Sequence, residues 1–136
     1  MTPSSTPHAV LHHVGIVVPD EDEMAAMMST LGLIEDYRGY VPEFFALCVF
    51  TRGNGGSPVE FVVPDGGPLL KFNKGMGGLH HLAYLTDSLD AKAVELAAQG
   101  MKFIEERHVE GAGPFRCNFL SPIYTRGLTV EYIELI

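Results

Sequence analysis

Positive charge is scarce in this chain of 136 residues: nine Lys and Arg stand against 17 Asp and Glu, a formal net charge of −8. The nine are scattered rather than gathered into a stripe, which argues against nucleic acid or an anionic membrane surface as a partner. Long apolar runs are also missing, and none approaches the roughly 20 residues that span a bilayer. Residues 1–8 (MTPSSTPH) have neither the basic nor the apolar region of a secretory signal and are expected to form a short disordered tail. Only two cysteines occur, Cys48 and Cys117, each inside an apolar segment. Buried free thiols in the reducing cytoplasm are the expectation. The hydrophobic content of 46% is that of a globular protein. The length suits one domain, or two packed halves near the lower limit of independent folding.

What is present is a repeat. Leu11-His12-His13-Val14-Gly15-Ile16-Val17-Val18 returns as Leu79-His80-His81-Leu82-Ala83-Tyr84-Leu85-Thr86. A helix follows each copy. Asp20 is the expected cap of the first, with Glu23 three residues on, an apolar stripe of Met24, Met27, Met28 and Leu31, and Gly32 as its stop. Asp87 or Ser88 caps the second, Leu89, Ala93, Leu96 and Ala97 form its stripe, and Gly100 ends it. Strands are expected over 37–41, 44–51 and 58–63, and again over 102–108, 114–121 and 128–135. The chain therefore reads as an α+β protein of two tandem βαβββ modules, 9–67 and 79–136, separated by a linker over 68–78 and forming one structural domain.

A second pair of matching segments is Val59-Glu60-Phe61-Val62 and Val130-Glu131-Tyr132-Ile133. Each half thus opens with a His on its first strand and closes with a Glu on its last. Pseudo-twofold packing would bring two His and two carboxylates together as a mixed N/O site for one divalent metal: Zn, Co, Ni, Mn or Fe(II). Four unrelated hydrogen-bonded structural residues are the plainer reading, and their equivalent placement in the repeat favours metal. Strand alternation puts His13 on the face of Gly15 and Val17, and His81 on the face of Ala83 and Leu85, where small neighbours leave room. His12 and His80 fall on the opposite face, as packing residues or as orienters of their neighbours. Glu134 is expected to point away from the site. His108 reads as solvated and His8 belongs to the tail.

These segments resemble the vicinal oxygen chelate (glyoxalase/bleomycin resistance/dioxygenase) superfamily over nearly the whole chain, and within it the methylmalonyl-CoA epimerases. The motifs that carry the resemblance are His13-Val14-Gly15-Ile16-Val17-Val18-Pro19-Asp20, Gly75-Met76-Gly77-Gly78-Leu79-His80-His81-Leu82-Ala83, and Phe119-Leu120-Ser121-Pro122 with Gly127-Leu128-Thr129-Val130-Glu131. The resemblance implies a cup-shaped, eight-stranded metal-binding sheet with His13, Glu60, His81 and Glu131 as ligands. It also implies Glu43 as a catalytic base. Without the resemblance, Glu43 reads equally well as a solubility charge opening an apolar strand. The chain departs from the epimerases where Ser121-Pro122-Ile123 replaces His-Pro-Lys, and where Phe44-Phe45-Ala46 lacks the glycine that often follows the glutamate.

The implied activity is that of a metal-dependent epimerase or isomerase abstracting a proton alpha to a thioester or carboxylate carbonyl, with Glu43 and Glu131 as catalytic residues. The substrate would be a small molecule such as an acyl-CoA, the assembly a homodimer. Lys71, Lys74, Arg116 and Arg126 are candidate contacts for CoA phosphates, against a default of scattered surface charge. The Gly111-Ala112-Gly113-Pro114 segment is a mobile flap, a phosphopantetheine-binding edge or a simple turn. Three rival readings share the fold. They are a glyoxalase I-like lyase acting on a glutathione hemithioacetal, an extradiol dioxygenase with a two-His, one-carboxylate triad, and a non-catalytic small-molecule binding protein.

Overall fold

The computed structural model describes residues 9–136, so the expected tail over 1–8 lies outside the described residues. The first half runs β1 (Leu11–Val17), α1 (Glu21–Leu31), β2 (Glu35–Val41), β3 (Ala46–Thr51) and β4 (Val59–Pro64). The second runs β5 (Gly78–Leu85), α2 (Leu89–Ala98), β6 (Val109–Glu110), β7 (Phe115–Leu120) and β8 (Thr129–Leu135). All eight strands form one sheet in the order β2-β3-β4-β1-β5-β8-β7-β6. Within each half the first strand pairs parallel with the last, β1 with β4 and β5 with β8. A tight turn cannot join parallel strands, and the helix and two strands between them supply the crossover. The halves join where β1 and β5 pair antiparallel.

Both helices form where the sequence signals them. The Asp20 carboxylate accepts the Glu23 N–H at 2.8 Å, and Gly32 ends α1 in the left-handed region (φ 71°) that glycine adopts without cost. Met24 is buried and packs with Met27 and Met28 on Val18, Val49 and Phe61. Complete burial of one such side chain contributes about 1.5–3 kcal/mol. Ser88 caps α2 through the Ala91 N–H, and Leu89 and Leu96 pack on Phe103, Leu120 and Val130.

The two helices cover the convex side of the sheet. The concave side curls into a nearly closed cup with its own apolar core, including Phe50, Val62, Ala83, Phe115 and Ile133. At the seam the 111–114 segment packs against β2 rather than standing free as a flap. A Cβ on Gly39 would come 2.9 Å from the Ala112 carbonyl oxygen, and one on Gly113 would meet the Tyr37 ring.

Two expected strands differ. The segment 102–108 makes a single bridge, Phe103 to Leu120, and pairing resumes only at Val109. The buried Asn118 side chain replaces the missing ladder: it accepts the Glu105 N–H and donates to the Glu105 carbonyl. The strand expected from residue 44 begins at Ala46. Pro42–Phe44 forms a 3-10 turn, which Phe45 ends at φ 52°.

Candidate metal centre

Four strands deliver the four candidate side chains to one point on the cup floor: His13 from β1, Glu60 from β4, His81 from β5 and Glu131 from β8. All four residues are buried, between 0% and 6% exposed. The His13 and His81 Nε2 atoms are 3.2 Å apart. Glu60 Oε1 lies 3.2 Å from the first and 3.1 Å from the second, and Glu131 Oε1 lies 3.1 Å from each. Metal bonds of about 2.0–2.2 Å would set neighbouring donors roughly 3 Å apart. Glu131 Oε1 is buried and makes no aligned hydrogen bond despite those short distances. An orphaned carboxylate oxygen facing two imidazole nitrogens is poorly arranged for hydrogen bonding and well arranged around a shared cation. The group could hold a divalent metal.

Electrostatics describe the same cluster without an ion. Burial works against a charged His13 or His81, but the carboxylates of Glu131 and Glu60 reverse it, raising His13 to about 9 and His81 to about 10. Burial likewise opposes ionisation of Glu60 and Glu131, and the two imidazoles overcome it and hold both carboxyls below the usual range. Burial pushes the Cys48 and Cys117 thiols far up, reinforced by the charge of Glu60 beside Cys48 and of Glu131 beside Cys117. Both cysteines are free and buried, and both stay protonated.

Small neighbours matter here, though not by leaving a void. Gly15 pairs with His81 across the β1–β5 ladder, and a Cβ on Gly15 would collide with the His81 ring. Glycine makes space for the His81 ring rather than for a bound molecule.

His12 and His80 were expected on the face opposite His13 and His81, and they are not there. The β1–β5 register advances from Leu11↔Tyr84 to His13↔Ala83, and from Gly15↔His81 to Ile16↔Leu79. One extra residue, His12 in one strand and His80 in the other, bulges from the ladder and breaks strict alternation. The His12 ring lies beside Phe50 and Phe115 of the cup core, and the His80 ring beside Phe72. No residue pattern in the sequence marks a bulge, so alternation alone misplaced both.

A cavity of about 320 Å³ opens above Glu60, His81 and Glu131. Phe44, Val62, Leu69 and Phe119 form apolar walls, His80 lines it too, and the exposed Glu43 stands on its rim. Glu43 sits on the 3-10 turn, outside the buried cluster. Phe45 takes up the left-handed backbone there that a glycine would adopt more easily. Glu134 faces away, accepting the Leu89 N–H at the start of α2 and pairing with Arg116. Arg116 is thereby engaged, whereas Lys71 and Lys74 are exposed on the Pro68–Gly75 segment whose first residues wall the cavity. His108 is held between Asp90 and Asn118 rather than solvated.

Residues 12–119 match the sequence profile of the Glyoxalase/Bleomycin resistance protein/Dioxygenase superfamily. The chain is 31% identical over 127 residues to the mitochondrial methylmalonyl-CoA epimerase of Homo sapiens, covering 89% of this chain and 71% of that protein. It is 30% identical over 128 residues to the uncharacterized protein YqjC of Bacillus subtilis (strain 168), covering 91% of each. Among solved structures, the methylmalonyl-CoA epimerase of Mycobacterium tuberculosis superposes with a TM-score of 0.85 at 26% identity, over 93% of this chain and 87% of that one.

Proposed function

Because the chain belongs to the glyoxalase/bleomycin resistance protein/dioxygenase superfamily, we propose that it is a divalent-metal-dependent epimerase. It would remove and return a proton alpha to a thioester or carboxylate carbonyl. The observation that carries this reading is the buried convergence of His13, Glu60, His81 and Glu131 below a cavity with the exposed carboxylate of Glu43 on its rim. In this reading the four hold one ion of Zn, Co, Ni, Mn or Fe. When bound it would supply Lewis-acid polarisation of a substrate carbonyl oxygen, which acidifies the neighbouring C–H.

The chain's own residues do the rest. Glu43 acts as general base: it and Glu105 are the cavity-lining carboxylates outside the cluster, and Glu43 is the one that the likeness to the epimerases favours. Glu131, on the floor of the same cavity, is the candidate partner for returning a proton to the opposite face, a role that requires it to loosen from the metal and first take a proton from solvent. The apolar walls of Phe44, Leu69 and Phe119 keep water from the reacting carbon. Lys71 and Lys74 are the cations placed to meet the phosphates of an acyl-CoA. Likeness to methylmalonyl-CoA epimerases supports an acyl-CoA as substrate, and the buried free thiols fit the cytoplasm.

The test is deuterium uptake. Metal-loaded protein is incubated in deuterated water with methylmalonyl-CoA and a panel of other acyl-CoA thioesters, and the alpha position is followed by mass spectrometry. Catalysed incorporation supports the reading. Conversion of a glutathione hemithioacetal with no incorporation in any thioester would move the chain to the glyoxalase-type lyases.

A further inference from the structure

We infer that His12 and His80 are positioning residues, each holding the neighbouring metal-facing imidazole in its Nε2-coordinating tautomer by accepting its Nδ1–H. The inference rests on the reading that His13 and His81 are ligands, and it assigns a role to two residues outside that set. In both halves the same contact occurs: His12 Nδ1 to His13 Nδ1 at 2.8 Å, and His80 Nδ1 to His81 Nδ1 at 2.8 Å. The rings cross nearly at right angles in both pairs, at 79° and 86°. Adjacent residues of a regular strand point to opposite faces and could not touch in this way. The bulge at each pair is what makes the contact, and the two bulges occupy equivalent places in the β1–β5 ladder.

Proton placement follows from the donor inventory. A neutral imidazole that directs its Nε2 lone pair at the cluster centre carries its proton on Nδ1. The neighbouring histidine's Nδ1 is the hydrogen-bond partner of that nitrogen among the described residues. The accepting ring must then keep its own proton on Nε2. Four rings are locked into one pattern of tautomers, and the orientation of each ligand ring no longer depends on the ion alone. Partners of this kind typically account for about 10–100-fold in metal affinity.

Cobalt(II)-loaded protein provides a readout that simple packing would not move. The wild type is expected to show two strongly shifted, exchangeable proton resonances from the Nδ1–H groups of His13 and His81, protected from solvent exchange. His12→Phe and His80→Phe keep an aromatic ring but remove the acceptor. Each is expected to broaden or lose one of the two resonances and to weaken cobalt binding by about 10–100-fold. His12→Asn and His80→Asn restore an acceptor and are expected to keep both resonances, with affinity within a few-fold of wild type. His12→Ala and His80→Ala carry the same readouts should a Phe variant fail to fold. Both resonances and full affinity in the acceptor-free variants would overturn the positioning role while leaving the metal site standing. A wild type that binds no cobalt would overturn the metal reading, and this inference with it.

Discussion

In the first half β2 runs seven residues, Glu35–Val41, whereas its counterpart β6 in the second half has two, Val109–Glu110. The first half turns from β2 to β3 through Pro42–Phe44, which presents Glu43 at the cavity. The second half turns from β6 to β7 through the 111–114 segment, which is packed against β2 and presents no carboxylate there. Deeper in the cup the halves agree: a cluster His on the first strand, a cluster Glu on the last, a bulged His beside each cluster His and a buried thiol near each carboxylate. What repeats holds the cluster, and what differs shapes one side of the cavity. Ion binding should therefore respond alike to equivalent changes in the halves, and catalysis should not.

The largest effect is expected at the histidines. His13→Ala and His81→Ala should each empty the site, as read by metal content in mass spectrometry. His12→Ala and His80→Ala should leave most of the metal bound when the ion is in excess. The reverse pattern would mean that the wrong member of each pair faces the ion.

Catalysis is where the halves should part. Glu43→Gln keeps shape and leaves the cluster untouched, so metal content and thermal unfolding should match wild type. Exchange of the alpha proton should slow by a factor of about 10² to 10⁴. A rate within a few-fold of wild type would reduce Glu43 to a rim charge.

A subtler asymmetry lies in the central ladder, where Gly15 faces His81 and Ala83 faces His13. Gly15→Ala drives a methyl group into the His81 ring and should cost about 1–3 kcal/mol of stability, along with metal affinity. Ala83→Gly removes one buried methyl and should cost about 1 kcal/mol without displacing His13. Denaturant melts of the metal-free proteins, paired with chelator competition, compare the two. Equal effects would contradict the close approach at Gly15.

The smallest signal is a proton count. In the metal-free cluster His13 and His81 are raised to about 9 and about 10, so both are protonated at pH 7 and must become neutral to bind metal. The lowered carboxyls of Glu60 and Glu131 are already ionised there. Two protons should leave per ion bound, and affinity should climb with pH until about 10. The metal-free fold changes in the opposite sense. A histidine raised on folding contributes stability below its unfolded value near 6.5, which is lost as pH rises through 9 to 10. Calorimetry in buffers of different ionisation enthalpy gives the proton number, and a value near zero would show that these imidazoles are neutral beforehand.

Much of this was legible in the residues because a repeat constrains more than a single segment does. Asp20, Gly32 and Ser88 announce their helices through local bonds that the fold keeps. The paired His-His and Val-Glu segments identify which strands meet. The irregular 102–108 segment was not legible, since its backbone partner is the side chain of Asn118, 13 residues from Glu105 and unmarked by any pattern. Nor was the placement of His12 and His80, because a bulge arises from how two strands share their ladder and one strand's alternation does not contain it. Glu43 lay between these cases. Its neighbourhood reads as a strand, and Pro42 with the left-handed Phe45 turns it into a corner.

The central claim is a four-ligand centre built from equivalent positions in two halves, and the comparison of Glu60→Ala with Glu131→Ala tests it most directly. Metal affinity of the two variants, measured by competition with a chromophoric chelator, should fall by comparable factors, because both carboxylates stand 3.1–3.2 Å from the same pair of imidazole nitrogens. Unchanged affinity in Glu60→Ala beside a large loss in Glu131→Ala would contradict it, and would point instead to a triad of two histidines and one carboxylate.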